Sequence, residues 1–185
     1  KLNMMFAGTT VSNGAAVGVV TATGIDYGDE RAGDGALLCL DGPTGHLRWS
    51  VVLDNHPDID RSDGMVPCSA PIVHEGTVYV LARVITPQRL HSESLVAIDL
   101  ASGRVLWSRW IASSARSRNY TIRPVVRPEP IGDLILTRSG AGAIAGVDAE
   151  TGGLRWLHRL ETPQDGTKDL RSRPYTGPRS ILTPT

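Results

Sequence analysis

Apolar and polar residues alternate in short runs along this chain, and the runs recur. An apolar run of four to five residues leads into Asp-x-x-x-Gly, and a second run with an alternating apolar face follows at once. Alternation with a period of two predicts half-buried β-strands. One predicted face holds Leu47, Trp49, Val51 and Leu53, and a second holds Leu154, Trp156, His158 and Leu160. We therefore interpret His158 as a core histidine or one between repeat units, rather than as a base. The pattern therefore predicts a series of β-hairpins.

Three copies of this hairpin pattern share one spacing. In each copy Gly follows Asp by four residues and Trp follows Asp by eight, and the aspartates lie 58 and 49 residues apart. The repeated residues are Asp41, Gly45, Trp49, Asp99, Gly103, Trp107, Asp148, Gly152 and Trp156. A period of this length indicates a solenoid, a propeller or an array.

The Asp and Gly of each copy have the chemistry of a tight turn. An Asp carboxylate accepts a hydrogen bond from its own backbone two residues on, and Gly adopts positive φ without a steric penalty. We interpret the three glycines as turn residues rather than as phosphate-binding glycines, because no helical pattern follows them.

Further strand signals precede each hairpin. Residues 70–73 and 76–81 precede the second copy, residues 123–126 and 132–137 precede the third, and residues 13–20 hold the same place before the first. Each unit is thus predicted to contain four short strands, as one propeller blade does. The Trp ring is expected to fill the wedge between neighbouring blades and to donate its N–H to the adjacent one. Trp49, Trp107 and Trp156 are therefore expected to be mostly buried at equivalent joints.

Residues 97–107, Ala-Ile-Asp-Leu-Ala-Ser-Gly-Arg-Val-Leu-Trp, are close to the consensus Ala-Leu-Asp-x-x-Thr-Gly-x-x-x-Trp. The chain thereby resembles the PQQ-like propeller repeat of quinoprotein dehydrogenases and of the lipoprotein that assists outer-membrane β-barrel assembly. The resemblance implies an all-β propeller of four-stranded blades. We predict blades at about 8–64, 65–118 and 119–168, with the start of a fourth at 169–185. The family usually has seven or eight blades, whereas this sequence holds about three and a third. We therefore expect it to be a fragment of a larger ring.

Composition limits the partners. Lys and Arg together number 19, as do Asp and Glu, so the formal net charge is zero and no general basic field is present for nucleic acid. No apolar stretch approaches the roughly 20 residues of a membrane span, so we expect no direct membrane insertion. Cys39 lies in an apolar run and Cys68 in a connection between blades. Both are expected to be small buried residues, and a disulfide between them is the alternative in an exported protein.

The densest polar stretch lies between the first two predicted blades, at residues 54–64. Asp58, Asp60 and Asp63 precede Gly64 and suggest a calcium loop, but their spacing is one residue off the EF-hand pattern and no bidentate Glu follows. A solvated loop is our main interpretation, and calcium is the alternative. We expect no catalytic residue and no bound cofactor. Quinoproteins, as the resemblance implies, hold PQQ over a Trp with a vicinal disulfide, and this chain has no Cys-Cys pair.

The main functional hypothesis is a noncatalytic scaffold or protein-interaction module, as a subunit or domain of a larger exported bacterial protein. Its expected partner is another protein or the remaining blades of the same propeller. One alternative is a part of a PQQ-dependent quinoprotein dehydrogenase, and another is a sensor domain for a small ligand or carbohydrate. The resemblance implies a periplasmic or otherwise exported location.

Overall fold

The computed structural model describes residues 3–12, 14–23, 35–60, 64–85, 90–115 and 126–160, and the regular structure in these segments is entirely β. The strands are, in chain order, β1 (Asn3–Ser12), β2 (Ala15–Thr23), β3 (Gly35–Asp41), β4 (Leu47–Val52), β5 (Val66–Pro67), β6 (Ile72–His74), β7 (Thr77–Ile85), β8 (Leu90–Asp99), β9 (Val105–Ala115), β10 (Glu129–Ile131), β11 (Leu134–Ser139), β12 (Ala143–Asp148) and β13 (Leu154–Arg159). The predicted all-β class is confirmed.

In the described segments these strands form three antiparallel sheets, each a meander. The orders are β1-β2-β3-β4, β5-β7-β8-β9 and β10-β11-β12-β13, and β6 also pairs with β7. The predicted four-stranded units of a partial PQQ-like propeller are confirmed. The blade limits remain a prediction, and the predicted start of a fourth blade at 169–185 lies outside the described residues.

The first strand of the second sheet is broken into β5 and β6. Between them, the backbone N–H of Cys68 donates to the carbonyl of Leu81 at 2.8 Å, and the hydroxyl of Ser69 accepts from the N–H of Leu81 at 2.9 Å. Pro71, which has no N–H to donate to a ladder, lies just before β6. The side chain of Ser69 thus supplies a ladder bond where the strand is interrupted.

The core lies between successive sheets. One apolar cluster joins Val17, Leu37 and Trp49 of the first sheet to Val78 and Val80 of the second. A second cluster joins Tyr79 and Leu81 to Ile135 and Val147 of the third sheet. Because neighbouring residues of β7 point to opposite faces, the middle sheet is buried on both sides. Face-to-face packing of this kind is what neighbouring propeller blades require.

A β-bulge lies in the last hairpin of the first sheet. Cys39 is opposite Trp49, but the next residue of β3, Leu40, is opposite Leu47, so Arg48 is the extra residue. Equivalent register shifts follow Ala97 in the second sheet and Gly146 in the third. A bulge changes the alternation of side chains. The prediction that Leu47 shares the buried face of Trp49 is therefore wrong, since Leu47 is 59% exposed.

Candidate functional site

The repeated aspartates organise the turns. The carboxylate of Asp41 accepts from the backbone N–H of Thr44 at 3.1 Å and from its hydroxyl at 2.6 Å. Ser102 bonds to Asp99 and Thr151 to Asp148 in the same way. These bonds reach three residues along the chain rather than the predicted two. The aspartates thus cap the turns that carry the repeated glycines.

The repeated glycines have the left-handed backbone that the sequence predicted. Their φ angles are +70° at Gly45, +75° at Gly103 and +68° at Gly152. In each turn the glycine N–H donates to the carbonyl of the repeated Asp, at 2.7, 2.9 and 3.0 Å. The three turns therefore share one backbone structure, in which L side chains are strained.

Hydrogen bonds to these carboxylates keep them ionised. Arg155, followed by Thr151, holds the pKa of Asp148 far below its ordinary value. The hydroxyl of Thr44 and then Arg48 lower the pKa of Asp41, and Ser102 lowers that of Asp99. A carboxylate stabilised in its charged form is a weak general acid or base at neutral pH. The three aspartates are therefore suited to structure rather than to proton transfer.

Trp49 joins the first sheet to the second. It is 9% exposed, and its Nε1–H donates to the carbonyl of Leu100 at 2.8 Å. A Cβ on Gly103 would lie 2.8 Å from the Cγ and Cδ2 atoms of this indole. Gly103 is therefore required twice, once for its positive φ and once for the space that the ring occupies.

Trp107 makes the same joint between the second and third sheets. Its Nε1–H donates to the carbonyl of Ala149 at 3.2 Å, and a Cβ on Gly152 would lie 2.6 Å from its ring. Arg109 adds a bond from Nε to the carbonyl of Gly152 at 2.6 Å. The predicted role of the Trp N–H, a bond to the adjacent blade, is confirmed at Trp49 and at Trp107.

Trp156 departs from this pattern. It is 36% exposed, and within the described segments its indole N–H has no acceptor and its ring contacts no following sheet. The ring lies over Gly146 of its own sheet and beside the exposed His158, with centroids 5.6 Å apart. Trp156 is therefore less buried than the sequence predicted, and its expected joint to the next predicted blade at 169–185 falls outside the described residues. The expected core position of His158 is wrong, since this residue is exposed.

A buried carboxylate makes a second contact between the middle and third sheets. Glu93 is buried, and its Oε1 accepts from Arg83 Nε at 3.0 Å and Nη2 at 2.6 Å. Its Oε2 accepts from the Ser139 hydroxyl and the Gly140 N–H, both at 2.7 Å. The sequence analysis missed this cluster. Arg83 of β7 and Glu93 of β8 are opposite each other in the second sheet, and this pairing is not visible in the sequence.

Among the described residues, the calcium candidate at 54–64 does not form a group of metal ligands. Asp58 and Asp60 are exposed, and Asp63 lies outside the described residues. Asp54 closes this loop instead, because its Oδ1 accepts from the N–H of Gly64 at 2.6 Å. The described segments contain no cluster of three or more His, Cys, Asp or Glu residues suited to a metal ion.

Both cysteines are free thiols. Burial raises the pKa of Cys39, and burial raises the pKa of Cys68 to about 12. The alternative of a disulfide between them is therefore wrong in this structure. Protonated thiols are poor nucleophiles, so neither cysteine is chemically activated.

Trp110 is the most exposed tryptophan in the described segments, at 58%. Its Nε1–H is shared by the hydroxyls of Ser92 at 3.0 Å and Ser113 at 3.1 Å. A bulge in β9 leaves Ile111 in the core while Trp110 lies on the surface, since Ser94 is opposite Trp110 and Glu93 is opposite Ala112. The bulge and the two serines hold the indole at a fixed place on the surface.

Solved structures share the fold. BamB from Moraxella catarrhalis is 21% identical with a TM-score of 0.52, over 83% of this chain and 37% of that one. Quinohemoprotein alcohol dehydrogenase from Comamonas testosteroni is 21% identical with a TM-score of 0.50, over 82% of this chain and 20% of that one. The quinohemoprotein alcohol dehydrogenase ADHIIG from Pseudomonas putida HK5 is 16% identical with a TM-score of 0.55, over 82% of this chain and 26% of that one. The chain therefore spans well under half the length of these proteins.

No curated protein matches the sequence. The described residues include no helix with the length and apolarity to cross a membrane. The family model described as outer membrane protein assembly factor BamB matches residues 6–181, which is nearly the whole sequence. The chain therefore belongs to the BamB-type family of PQQ-like repeat proteins.

Proposed function

We propose that this chain is part of a noncatalytic β-propeller that binds a protein partner in the periplasm or another exported compartment. The family description, an outer membrane protein assembly factor, supports a role in an assembly of proteins. The observation that carries the proposal is the fixed, exposed indole of Trp110 on β9.

Trp110 has the properties of an interface anchor. Aromatic side chains supply much of the binding energy of protein interfaces, and Trp is among the residues most enriched at their centres. Two serine hydroxyls already hold the indole N–H, and the hydroxyls bond to each other at 3.0 Å. Leu106, 43% exposed, lies on the same strand. Because the ring is held in place before a partner arrives, less conformational entropy is lost on binding.

The acidic groups at the sheet joints support a noncatalytic role. Asp41, Asp99 and Asp148 accept bonds from their own turns. Glu93 accepts two hydrogen bonds from Arg83 of its own sheet and two from the third sheet. These carboxylates are occupied by contacts that hold the fold together.

Photocrosslinking in the source cell tests the proposal. A benzophenone amino acid replaces Trp110 in the full-length protein, and Val11, which is 72% exposed on β1, is the matched control position. We expect discrete protein adducts from position 110 and not from position 11. A Trp110→Ala variant with normal stability should lose the same partner on affinity purification. Adducts of equal pattern at both positions, or an unchanged partner set in Trp110→Ala, would contradict the proposal.

The fold likeness to quinohemoprotein alcohol dehydrogenases favours one other candidate, part of a PQQ-dependent dehydrogenase. Full-length protein incubated with PQQ and calcium distinguishes the two. We expect no quinone absorption band after dialysis and no alcohol-dependent reduction of an artificial electron acceptor. A retained band together with turnover would favour the enzyme.

A further inference from the structure

Each of the three sheets has one extra residue in its last hairpin, seven positions after the repeated Asp. The extra residue is Arg48 in the first sheet, Leu106 in the second and Arg155 in the third. A residue at a β-bulge has no partner across the ladder, so its side chain is available for other contacts. The three sheets therefore compare one backbone position that carries different side chains.

In the first and third sheets the extra residue is an arginine that binds the repeated Asp. Arg48 donates from Nη2 to Asp41 Oδ1 at 2.6 Å. Arg155 donates to Asp148 Oδ2, from Nη2 at 2.5 Å and from Nε at 3.2 Å. In both turns the other carboxylate oxygen accepts from the hydroxyl of the capping Thr. Each of these aspartates thus has one oxygen for its turn and one for a guanidinium.

The middle sheet keeps the aspartate but not the arginine, because Leu106 occupies that position and has no donor. Asp99 Oδ1 accepts from the N–H and the hydroxyl of Ser102, and the N–H of Ala101 also donates to this carboxylate. Arg104 attracts Asp99 electrostatically, but Asp99 forms no ion pair with any residue that the structure describes. The Asp99 carboxylate is therefore held in place by its turn, without the guanidinium that its two counterparts bind.

Apolar surface lies beside this carboxylate, along β9. Leu106 is 43% exposed and Trp110 is 58% exposed, although the middle sheet packs against a described sheet on each of its faces. Arg109 precedes Trp110 on the strand, but its Nε donates to the carbonyl of Gly152 in the third sheet. Four residues of a strand span about 13 Å. A fixed negative charge and an exposed indole thus lie at the two ends of a short stretch of β9.

We propose that the partner of Trp110 is an extended protein segment that places an arginine on Asp99 and an apolar side chain against the indole. This inference rests on the proposed function and names the chemistry of the partner. The partner's guanidinium takes the place that Arg48 and Arg155 fill in the other two turns. Arg suits this place because its planar donors match a carboxylate. Since the contacts follow one strand, the arginine and the apolar residue are about four residues apart in the partner.

Two substitutions in the full-length protein test this proposal. Asp99→Asn removes the negative charge and keeps a side-chain oxygen for Ser102. Leu106→Arg supplies the missing arginine from the chain itself, so that Asp99 is occupied before a partner arrives. The protein captured by the crosslinker at position 110 is identified by mass spectrometry and purified, and its affinity for each variant is measured. Each substitution should weaken binding about tenfold or more, as the loss of one charge of a close pair does at other interfaces.

Matched controls separate the ion pair from effects on the turn. Asp41→Asn changes the equivalent carboxylate, which Arg48 already binds, and Leu106→Met keeps an apolar side chain at the bulge. Both controls should bind the partner like the parent chain. Affinity for the parent should also fall as salt rises from about 0.05 to 0.5 M, because salt screens exposed charges, and this fall should be smaller in Asp99→Asn. Thermal unfolding verifies that all four variants are folded.

The outcomes distinguish this inference from the proposed function. If Trp110→Ala loses the partner while either Asp99→Asn or Leu106→Arg binds like the parent chain, the anchor stands and the arginine contact is overturned. Equal weakening by Asp41→Asn would also overturn it, because a general effect on the turns would then explain the loss. If position 110 gives no specific protein adduct, the proposed function and this inference fail together.

Discussion

Tyr79 and Trp107 donate to the same acceptor. The Tyr79 hydroxyl lies 3.1 Å and the Trp107 Nε1 3.2 Å from the carbonyl oxygen of Ala149, and the two ring centroids are 5.8 Å apart. Both donors belong to the second sheet and the acceptor belongs to the third. This oxygen therefore uses both of its lone pairs to hold the two sheets together.

The shared acceptor predicts a non-additive pair of substitutions. Tyr79→Phe alone should cost about 0.5–1.5 kcal/mol of unfolding free energy, because Trp107 still satisfies the carbonyl. Only the double variant with Trp107→Phe leaves the Ala149 oxygen without either donor, so it should cost more than the sum of the single changes. Urea unfolding of the four proteins measures the coupling. Additive costs would show that the two bonds act independently.

The three repeated tryptophans should differ in their contribution to stability. Trp49→Ala and Trp107→Ala should each cost about 3–5 kcal/mol, because both rings pack against the next sheet. Trp156→Ala should cost less than about 1 kcal/mol at low protein concentration, since its ring is exposed and makes no such joint in the described residues. The midpoints of urea unfolding rank the three variants by stability. Equal losses at all three positions would mean that Trp156 is also buried in a joint.

Loss of the Glu93 carboxylate should strongly lower the stability of the fold. Glu93→Ala removes the acceptor that Arg83, Ser139 and Gly140 share in a buried joint, and breaking such a group costs about 3–5 kcal/mol. Glu129→Ala, on the exposed strand β10, is the matched control and should change stability by less than about 0.5 kcal/mol. Thermal unfolding of both variants decides whether the contacts of Glu93 stabilise the joint.

Acid should weaken the third turn through Asp148. Arg155 lowers the folded-state pKa of this carboxyl below its value in the unfolded chain, so its contribution is present above about pH 4 and is lost as pH falls toward the folded-state pKa. Asp148→Asn should therefore show a smaller loss of urea midpoint than the parent chain below about pH 4. Asp58→Asn, in the exposed loop, should follow the parent curve. Identical curves for all three would remove Asp148 as a source of acid sensitivity.

The two thiols should react slowly in the folded protein. Burial raises the pKa of both, to about 12 for Cys68, so few thiolates exist at neutral pH. Labelling with a disulfide reagent at neutral pH should be slow in buffer and fast in concentrated urea. Rapid labelling of Cys68 in the native state would show that its environment opens readily.

The hairpins could be predicted from the sequence because local chemistry determines them. Gly at positive φ, Asp at the start of each turn and the period of two define the hairpins, because these constraints act within a few residues. The indole bonds of Trp49 and Trp107 followed from the blade pattern as a whole. The bulge at Arg48 was not predicted, because an extra residue in one strand is visible only against its partner. It reversed the expected face of Leu47.

The contacts between sheets were the hardest to predict. Glu93 meets Ser139 and Gly140 more than 40 residues along the chain, and periodicity within a strand carries no information on that pairing. The fixed indole of Trp110 was not predicted from the sequence. Its position depends on a bulge at Ile111 and on two serines from different strands.

The receiving half of each Trp joint consists of main-chain atoms and a missing Cβ, at Leu100 with Gly103 and again at Ala149 with Gly152. No particular side chain is needed there, so Leu and Ala serve equally well at the acceptor position. The same joint can therefore recur between units whose sequences differ at that position, provided that the turn Gly and the Trp are kept. The joint thus places little demand on sequence, and the loops between the units are free to diverge toward new partners.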